Sequence, residues 1–103
     1  MKKCTFYRTM YKAGGGYQTV KTDGYCETLT DKDENEITLC FHKDSDYFWI
    51  VTEKSTGFKV CKGSKRTEAL KEAKKYLNRI YEKIRQLEEY KDLVAKAYSE
   101  DKK

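Results

Sequence analysis

The sequence predicts an α+β fold in which an antiparallel sheet of four or five strands (order β-β-β-β-β-α) is covered on one face by a long C-terminal helix. Two observations support this. Residues 1–63 form short, partly alternating stretches separated by turn residues, and residues 64–103 lack Pro and Gly and repeat apolar residues at helical intervals. With 103 residues, the chain is expected to be a single domain, with 1–63 as sheet and 64–103 as helical segment.

The first strands are predicted from two polar–apolar stretches around a glycine run. Residues 3–12 read as a strand, Ala-Gly-Gly-Gly at 13–16 must turn, and residues 17–22 return as the second strand of a hairpin. Asp23-Gly24 is a further turn signal. After it, residues 25–29 either form a short strand of their own or extend the second strand.

The stretch from 36 to 61 predicts a three-stranded meander. Residues 36–43 alternate, with Ile37, Leu39 and Phe41 on one face, and residues 47–52 form the most hydrophobic strand. Residues 58–61 complete the set, and the short connections favour antiparallel pairing.

The C-terminal helix is predicted from an apolar stripe whose members recur every three or four residues: Leu70, Ala73, Leu77, Ile80, Ile84 and Leu87. Ser64 or Thr67 is expected to cap its first turn. Beyond Leu87 the stripe changes face, so the helix either bends near 88–91 to follow the sheet or presents its last turns to a second partner. The candidate residues for such a partner surface are Tyr90, Leu93, Val94 and Ala97. A coiled-coil dimer through the stripe is the alternative to packing on the sheet, which makes the chain a monomer or a homodimer.

Charge is concentrated on the predicted helix. The net charge is +5, of which residues 1–63 contribute +1 and residues 64–103 contribute +4. Six cations lie on the outer side of the helix, opposite or beside the apolar stripe: Lys71, Lys74, Lys75, Arg79, Lys83 and Arg85. Like charges four residues apart repel by about 0.2–0.5 kcal/mol per pair, and Glu68, Glu72 and Glu82 are spaced to compensate them in part. This surface is a candidate site for phosphates or an acidic protein patch, against the alternative of an ordinary solvated face.

The other chemical groups point away from catalysis and cofactors. The four cysteines have no close pair, so buried reduced thiols are favoured over a zinc site, whose ligands usually come in pairs two to four residues apart. Cys40 and the single His42 lie side by side on one strand, not directed at each other as a thiol–imidazole pair would be. Strand aromatics such as Tyr25 and Trp49 are expected to serve packing more than base stacking. We therefore expect no enzyme activity, cofactor or metal.

Residues 49–60 (Trp-Ile-Val-Thr-Glu-Lys-Ser-Thr-Gly-Phe-Lys-Val) and 63–70 (Gly-Ser-Lys-Arg-Thr-Glu-Ala-Leu) resemble a strand–turn–strand–helix unit. Such units recur in small orphan proteins of phages and mobile elements of Gram-positive bacteria, a group that includes anti-CRISPR inhibitors. The resemblance covers about a quarter of the chain. It implies a small non-enzymatic inhibitor that occludes a nucleic-acid-binding or catalytic surface, and it assigns no contact residue.

Taken together, these features predict a non-enzymatic interaction protein, an anti-CRISPR-like inhibitor or modulator that binds a nucleic-acid-handling protein complex and blocks it sterically. Direct nucleic-acid binding through the basic helix face is the alternative. No stretch is apolar enough to cross a membrane, and the N-terminus lacks the apolar run of a signal peptide, so a cytoplasmic location is expected.

Overall fold

Five strands and three helices follow one another in a computed structural model that describes residues 1–44 and 47–101. The elements are β1 (Lys2–Tyr11), β2 (Tyr17–Thr30), β3 (Glu36–Lys43), β4 (Trp49–Glu53), β5 (Lys59–Gly63), α1 (Arg66–Lys74), α2 (Leu77–Gln86) and α3 (Glu88–Asp101). The strands form one antiparallel sheet in the order β1-β2-β3-β4-β5, so every strand pairs with its neighbour in the chain. The predicted α+β class is confirmed.

Strand β2 is longer than predicted because the Asp23-Gly24 turn does not form. Its first part pairs with β1, from Tyr17 opposite Tyr11 to Cys26 opposite Lys2, and its second part pairs with β3. Gly24 lies where a Cβ atom would meet the Phe41 carbonyl oxygen, and the Phe6 ring would be 3.1 Å away. The glycine therefore serves a close approach inside the sheet rather than a turn.

Two of the connections between strands are fixed by carboxylates. After β2, one oxygen of Asp31 accepts the backbone N–H groups of Asp33 and Asn35, each at 2.9 Å. After β4, the buried Glu53 carboxylate accepts the backbone N–H groups of Ser55 and Thr56, each at 2.9 Å, and both hydroxyl groups. In such turns, polar side chains accept hydrogen bonds from backbone N–H groups that have no partner in the sheet. The short connection predicted between the strands at 36–43 and 47–52 lies partly outside the described residues.

The core joins the sheet to the first two helices. Its buried members from the strands are Ile37, Leu39, Phe41 and Val51, and those from the helices are Ala69, Ala73, Ile80 and Ile84. The stripe that a coiled-coil dimer would use is thus buried largely within the protein's own core, where Leu70 and Leu77 pack against it. The small side chains Ala69 and Ala73 belong to α1, the helix that contacts β4 and β5.

The helical segment is broken twice, whereas the sequence predicted one long helix with at most one bend. The first break is at Lys75 and Tyr76, whose backbone N–H groups bond carbonyls three residues back instead of four. The second is at Leu87 (φ −102°, ψ 52°), one residue before the predicted 88–91 region. The capping prediction is also wrong, because the N-cap residue of α1 is Lys65 and it makes no side-chain capping bond.

Candidate interaction surface

The six predicted cations form an exposed surface on the helical segment, which we call the basic face: Lys71, Lys74, Lys75, Arg79, Lys83 and Arg85. Two of them lie on α1 and three on α2, with Lys75 at the break between these helices. The buried residues of the same helices, Ala69, Ala73, Ile80 and Ile84, point into the core. The basic face is therefore turned outward, although the first break interrupts the single helix on which the sequence placed these cations.

Intramolecular compensation of this charge is weak. Lys75 pairs with Glu72 at 3.3 Å and Arg85 pairs with Glu82 at 3.5 Å, both between exposed side chains of one helical turn. Exposed ion pairs of this kind contribute about 0.2–1 kcal/mol each to the free energy of unfolding. Glu68 accepts a hydrogen bond from the Ser64 hydroxyl, and no ion pair joins it to Lys71 in the described part of the chain.

Four members of the basic face, Lys71, Lys74, Arg79 and Lys83, have no ion-pair partner among residues 1–44 and 47–101. The Arg79 guanidinium instead lies 5.7 Å from the ring centre of Tyr76, a side chain that is 43% exposed. Arg79 and Lys83 also line a shallow depression of about 320 Å³ with three other α2 side chains: Asn78, Glu82 and Gln86. The basic face thus has an exposed aromatic ring, that of Tyr76, next to one of its cations, Arg79.

A second group of cations over aromatic rings lies where β5 joins α1. Arg66 stacks over Tyr25 at 4.7 Å and over Trp49 at 5.7 Å. Lys62 lies 4.6 Å from the ring centre of Phe48, which is 41% exposed. From the sequence, Tyr25 and Trp49 were expected to serve packing, and these two cations were not singled out. The sequence signal that could have identified Lys62 and Arg66 is their position directly after the predicted meander.

The predicted second-partner surface is largely used within the protein. Val94 is 1% exposed and belongs to the interior, and Tyr90 packs its ring 4.7 Å from the ring centre of Tyr17. Leu93 and Ala97 are half-buried. The assignment of Val94 to a partner surface is therefore wrong: helix α3 contacts β1 and β2 of its own sheet.

Further contacts hold the end of α3 against the first hairpin. The Tyr98 ring lies edge-on to Tyr7 at 4.8 Å, and Lys21 forms an ion pair with Asp101 at 3.0 Å. The hydrogen bond from Lys21 lowers the pKa of Asp101, and a hydrogen bond from Tyr7 acts in the same direction. The apolar pattern changes after Leu87 because α3 packs against a different part of the sheet, the strands β1 and β2.

The cysteines differ from the expectation of four reduced thiols. Cys4 and Cys26 form a disulfide, and Cys40 and Cys61 are free. Burial raises the pKa of the Cys40 thiol to about 12. His42 is buried, its pKa is lowered by burial, and neither of its ring nitrogens has a hydrogen-bond partner among the described residues. Cys40 and His42 therefore do not form the hydrogen-bonded pair that nucleophilic catalysis needs.

Among the described residues, no helix combines the length and the apolar character needed to span a membrane. The chain was also compared with known proteins. No protein-family model matches it, and no curated protein and no solved structure shows significant similarity to it.

Proposed function

We propose that this protein is a non-enzymatic, cytoplasmic interaction protein that binds an anionic surface of a nucleic-acid-handling protein complex through the basic face and blocks that complex sterically. The observation that carries the proposal is the exposure of all six cations, four of them without an ion pair within residues 1–44 and 47–101. The resemblance of residues 49–60 and 63–70 to a unit found in proteins of phages and mobile elements favours an anti-CRISPR-like inhibitor within this class.

The charge distribution supports an anionic partner. Repulsion between cations on neighbouring helical turns works against folding, while none of these side chains contributes to the core. An anionic surface would relieve this repulsion and would also accelerate association through long-range attraction. We expect these cations to contribute little to the stability of the free protein, so a partner would account for their combined placement.

Capture from lysate with charge-reversed variants tests the proposal. The tagged protein, incubated with nuclease-treated bacterial lysate, should retain a complex that handles nucleic acid and inhibit its activity. Lys75→Glu/Arg79→Glu should abolish both effects. The matched control Lys12→Glu/Lys32→Glu makes the same charge change at two exposed lysines in the connections after β1 and β2, and it should preserve them. Equal capture by both double variants would show that the basic face is only solvated surface.

Direct binding of nucleic acid is the second candidate, and the rings beside the cations favour it. Tyr76 under Arg79 and Phe48 under Lys62 are both partly exposed, as a base-stacking platform requires. A labelled oligonucleotide should then bind at low salt, with affinity falling steeply as salt rises, and Tyr76→Ala should weaken the binding. Absence of binding at low salt would exclude this candidate while leaving the first one open.

A further inference from the structure

Three sulfur atoms from three neighbouring strands meet on one side of the sheet. Cys26 on β2 is directly opposite Cys40 on β3, with their Sγ atoms 2.9 Å apart, and Cys26 is also bonded to Cys4 on β1. The Sγ atoms of Cys4, Cys26 and Cys40 all lie within 4.8 Å of one another. Sequence spacing gives no hint of this group, because its members are separated by 22 and 14 residues.

We propose that, once the Cys4–Cys26 disulfide is reduced, Cys4, Cys26 and Cys40 form a three-thiolate site for a thiophilic metal ion of the zinc class. This inference is independent of the proposed binding role of the basic face. It also revises the expectation from the sequence that the chain holds no metal, which rested on the lack of close cysteine pairs.

The sulfur arrangement fits such an ion. A zinc–sulfur bond of about 2.3 Å places the sulfurs of a tetrahedral site about 3.8 Å apart. The three sulfurs now lie within 4.8 Å of one another, and reduction of the disulfide would free Cys4 and Cys26 to separate to that spacing. Thiolates are the ligands preferred by zinc and other soft or borderline ions. Cys26 and Cys40 are register partners on paired strands, and Cys4 lies diagonally across from Cys26, two residues after its register partner Lys2. The sheet thus provides the preorganisation that a close cysteine pair provides in a zinc finger.

Metal binding and the disulfide exclude each other. Two molecules of a monothiol reductant supply two electrons and two protons to the sulfurs of Cys4 and Cys26 and leave as one oxidised disulfide. The three thiols then release three protons as they bind a divalent ion, which leaves the centre with one negative charge. Oxidation of the protein reverses these steps and releases the ion.

The surroundings allow access and offset this charge. Cys4 and Cys26 line a depression of about 540 Å³ at the protein surface, where the lysines Lys2, Lys3 and Lys54 outnumber the acid Glu27. The positive charges of these lysines would attract the negative charge of the metal–thiolate centre. Burial raises the pKa of the Cys40 thiol, and the charge of Lys54 opposes that rise. The ion must displace the Cys40 proton, as metal binding to thiols generally does.

Cys61 provides a matched control. It is a half-buried free thiol on β5, its Sγ bonds the Ala69 carbonyl at 3.6 Å, and it does not belong to the three-sulfur group. His42, two residues after Cys40, also lies outside the group, with its ring 6.0 Å from the ring centre of Phe6. The proposal therefore makes opposite predictions for equivalent Cys→Ser changes on β1 and β5.

The experiment loads the reduced full-length chain with Zn²⁺ under anaerobic conditions, removes excess ion by desalting and measures bound zinc by mass spectrometry. Co²⁺ serves as a second probe, because thiolate ligation gives a sulfur-to-cobalt charge-transfer absorption. The reduced wild type and Cys61→Ser should each bind one ion per chain. Cys4→Ser and Cys40→Ser should bind at least about tenfold more weakly and show a weaker absorption band at the same Co²⁺ concentration.

Several outcomes would overturn the site. They are no zinc on the reduced wild type, equal binding by the disulfide form, binding by Cys4→Ser as tight as by the wild type, or loss of binding in Cys61→Ser. Circular dichroism checks that each variant is folded. If Cys40→Ser unfolds because its sulfur is fully buried, the half-buried Cys4 on the edge strand decides the question.

Discussion

Thr9 on the edge strand β1 donates its backbone N–H to the carbonyl oxygen of Gly57 at 2.9 Å, across 48 residues of chain. The Thr9 hydroxyl also donates to the carbonyl oxygen of Thr56 at 2.7 Å. These bonds tie the free edge of the first strand to the connection between β4 and β5, although β1 and β4 are not neighbours in the sheet. Gly57 has φ +72°, a conformation that favours glycine.

Gly57→Ala is expected to destabilise the fold by about 2–4 kcal/mol, which combines left-handed strain with steric overlap. A Cβ atom there would lie 2.6 Å from Thr9 N and 2.8 Å from the Tyr7 carbonyl oxygen. The measurement is urea unfolding followed by circular dichroism. Gly15→Ala is the control, because Gly15 also has positive φ (+104°) but a Cβ atom added there would meet no atom within 4 Å. Equal losses in the two variants would show that strain alone matters.

Glu53→Ala is expected to lower the free energy of unfolding by about 3 kcal/mol. The change removes the acceptor of four hydrogen bonds and leaves the buried Thr56 donors unpaired. Glu53 is 2% exposed, so water cannot replace its carboxylate without rearrangement. The same urea titration measures the effect. Glu36→Ala, at an exposed position of β3, should change the free energy of unfolding by less than about 0.5 kcal/mol. A Glu53→Ala variant as stable as that control would contradict this role.

Asp31 is expected to make stability depend on pH in the acid range. Burial by itself would raise the pKa of Asp31, but the hydrogen bonds from Asn35 and Asp33 outweigh it, so the pKa lies below its ordinary value of 3.8. A folded-state pKa below the unfolded one stabilises the fold above that ordinary value, and this stabilisation is lost as pH falls through the lowered pKa. Unfolding measured at successive pH values from neutral to strongly acid should show the loss. Asp31→Asn should flatten this part of the profile, and an unchanged profile would contradict the assignment.

Neutralising the unpaired cations of the basic face should leave stability almost unchanged. Lys71→Gln and Lys83→Gln remove charges that have no ion-pair partner in the described part of the chain, so each should shift the free energy of unfolding by less than about 0.5 kcal/mol. Thermal and urea unfolding of the two variants test this. Losses above about 1 kcal/mol would indicate that these side chains serve the fold, in conflict with the proposed binding role.

Thiol reactivity should separate the two free cysteines. Cys40 is completely buried, and its pKa is raised by burial to about 12, whereas Cys61 is half-buried. Because the thiolate is the reactive form, an alkylating reagent at neutral pH should modify Cys61 of the native oxidised protein well before Cys40. Mass spectrometry of timed samples gives the order, and unfolded protein should show both sites reacting together. Faster modification of Cys40 would contradict the burial of its sulfur.

Local sequence patterns were sufficient to predict the fold class. The glycine run at 13–16, the alternation of Ile37, Leu39 and Phe41, and the helical spacing through Ile84 each act over a few residues, so they could be recognised without tertiary information. The same reasoning located the basic face, because exposure on the side of a helix opposite an apolar stripe follows from helical geometry. It failed at Gly24, where the need for glycine comes from Phe41 on another strand.

The sequence by itself determined the antiparallel sheet, the helical C-terminal region and the outward placement of its cations, because hydrophobic periodicity over short distances dictates all three. Tertiary structure alone decided where the helices break, since neither Tyr76 nor Leu87 is a residue that ends a helix by its own chemistry. It also decided that α3 packs against the first hairpin and that Cys4, Cys26 and Cys40 meet. These relationships depend on strand register between residues far apart in the chain, which no local pattern records.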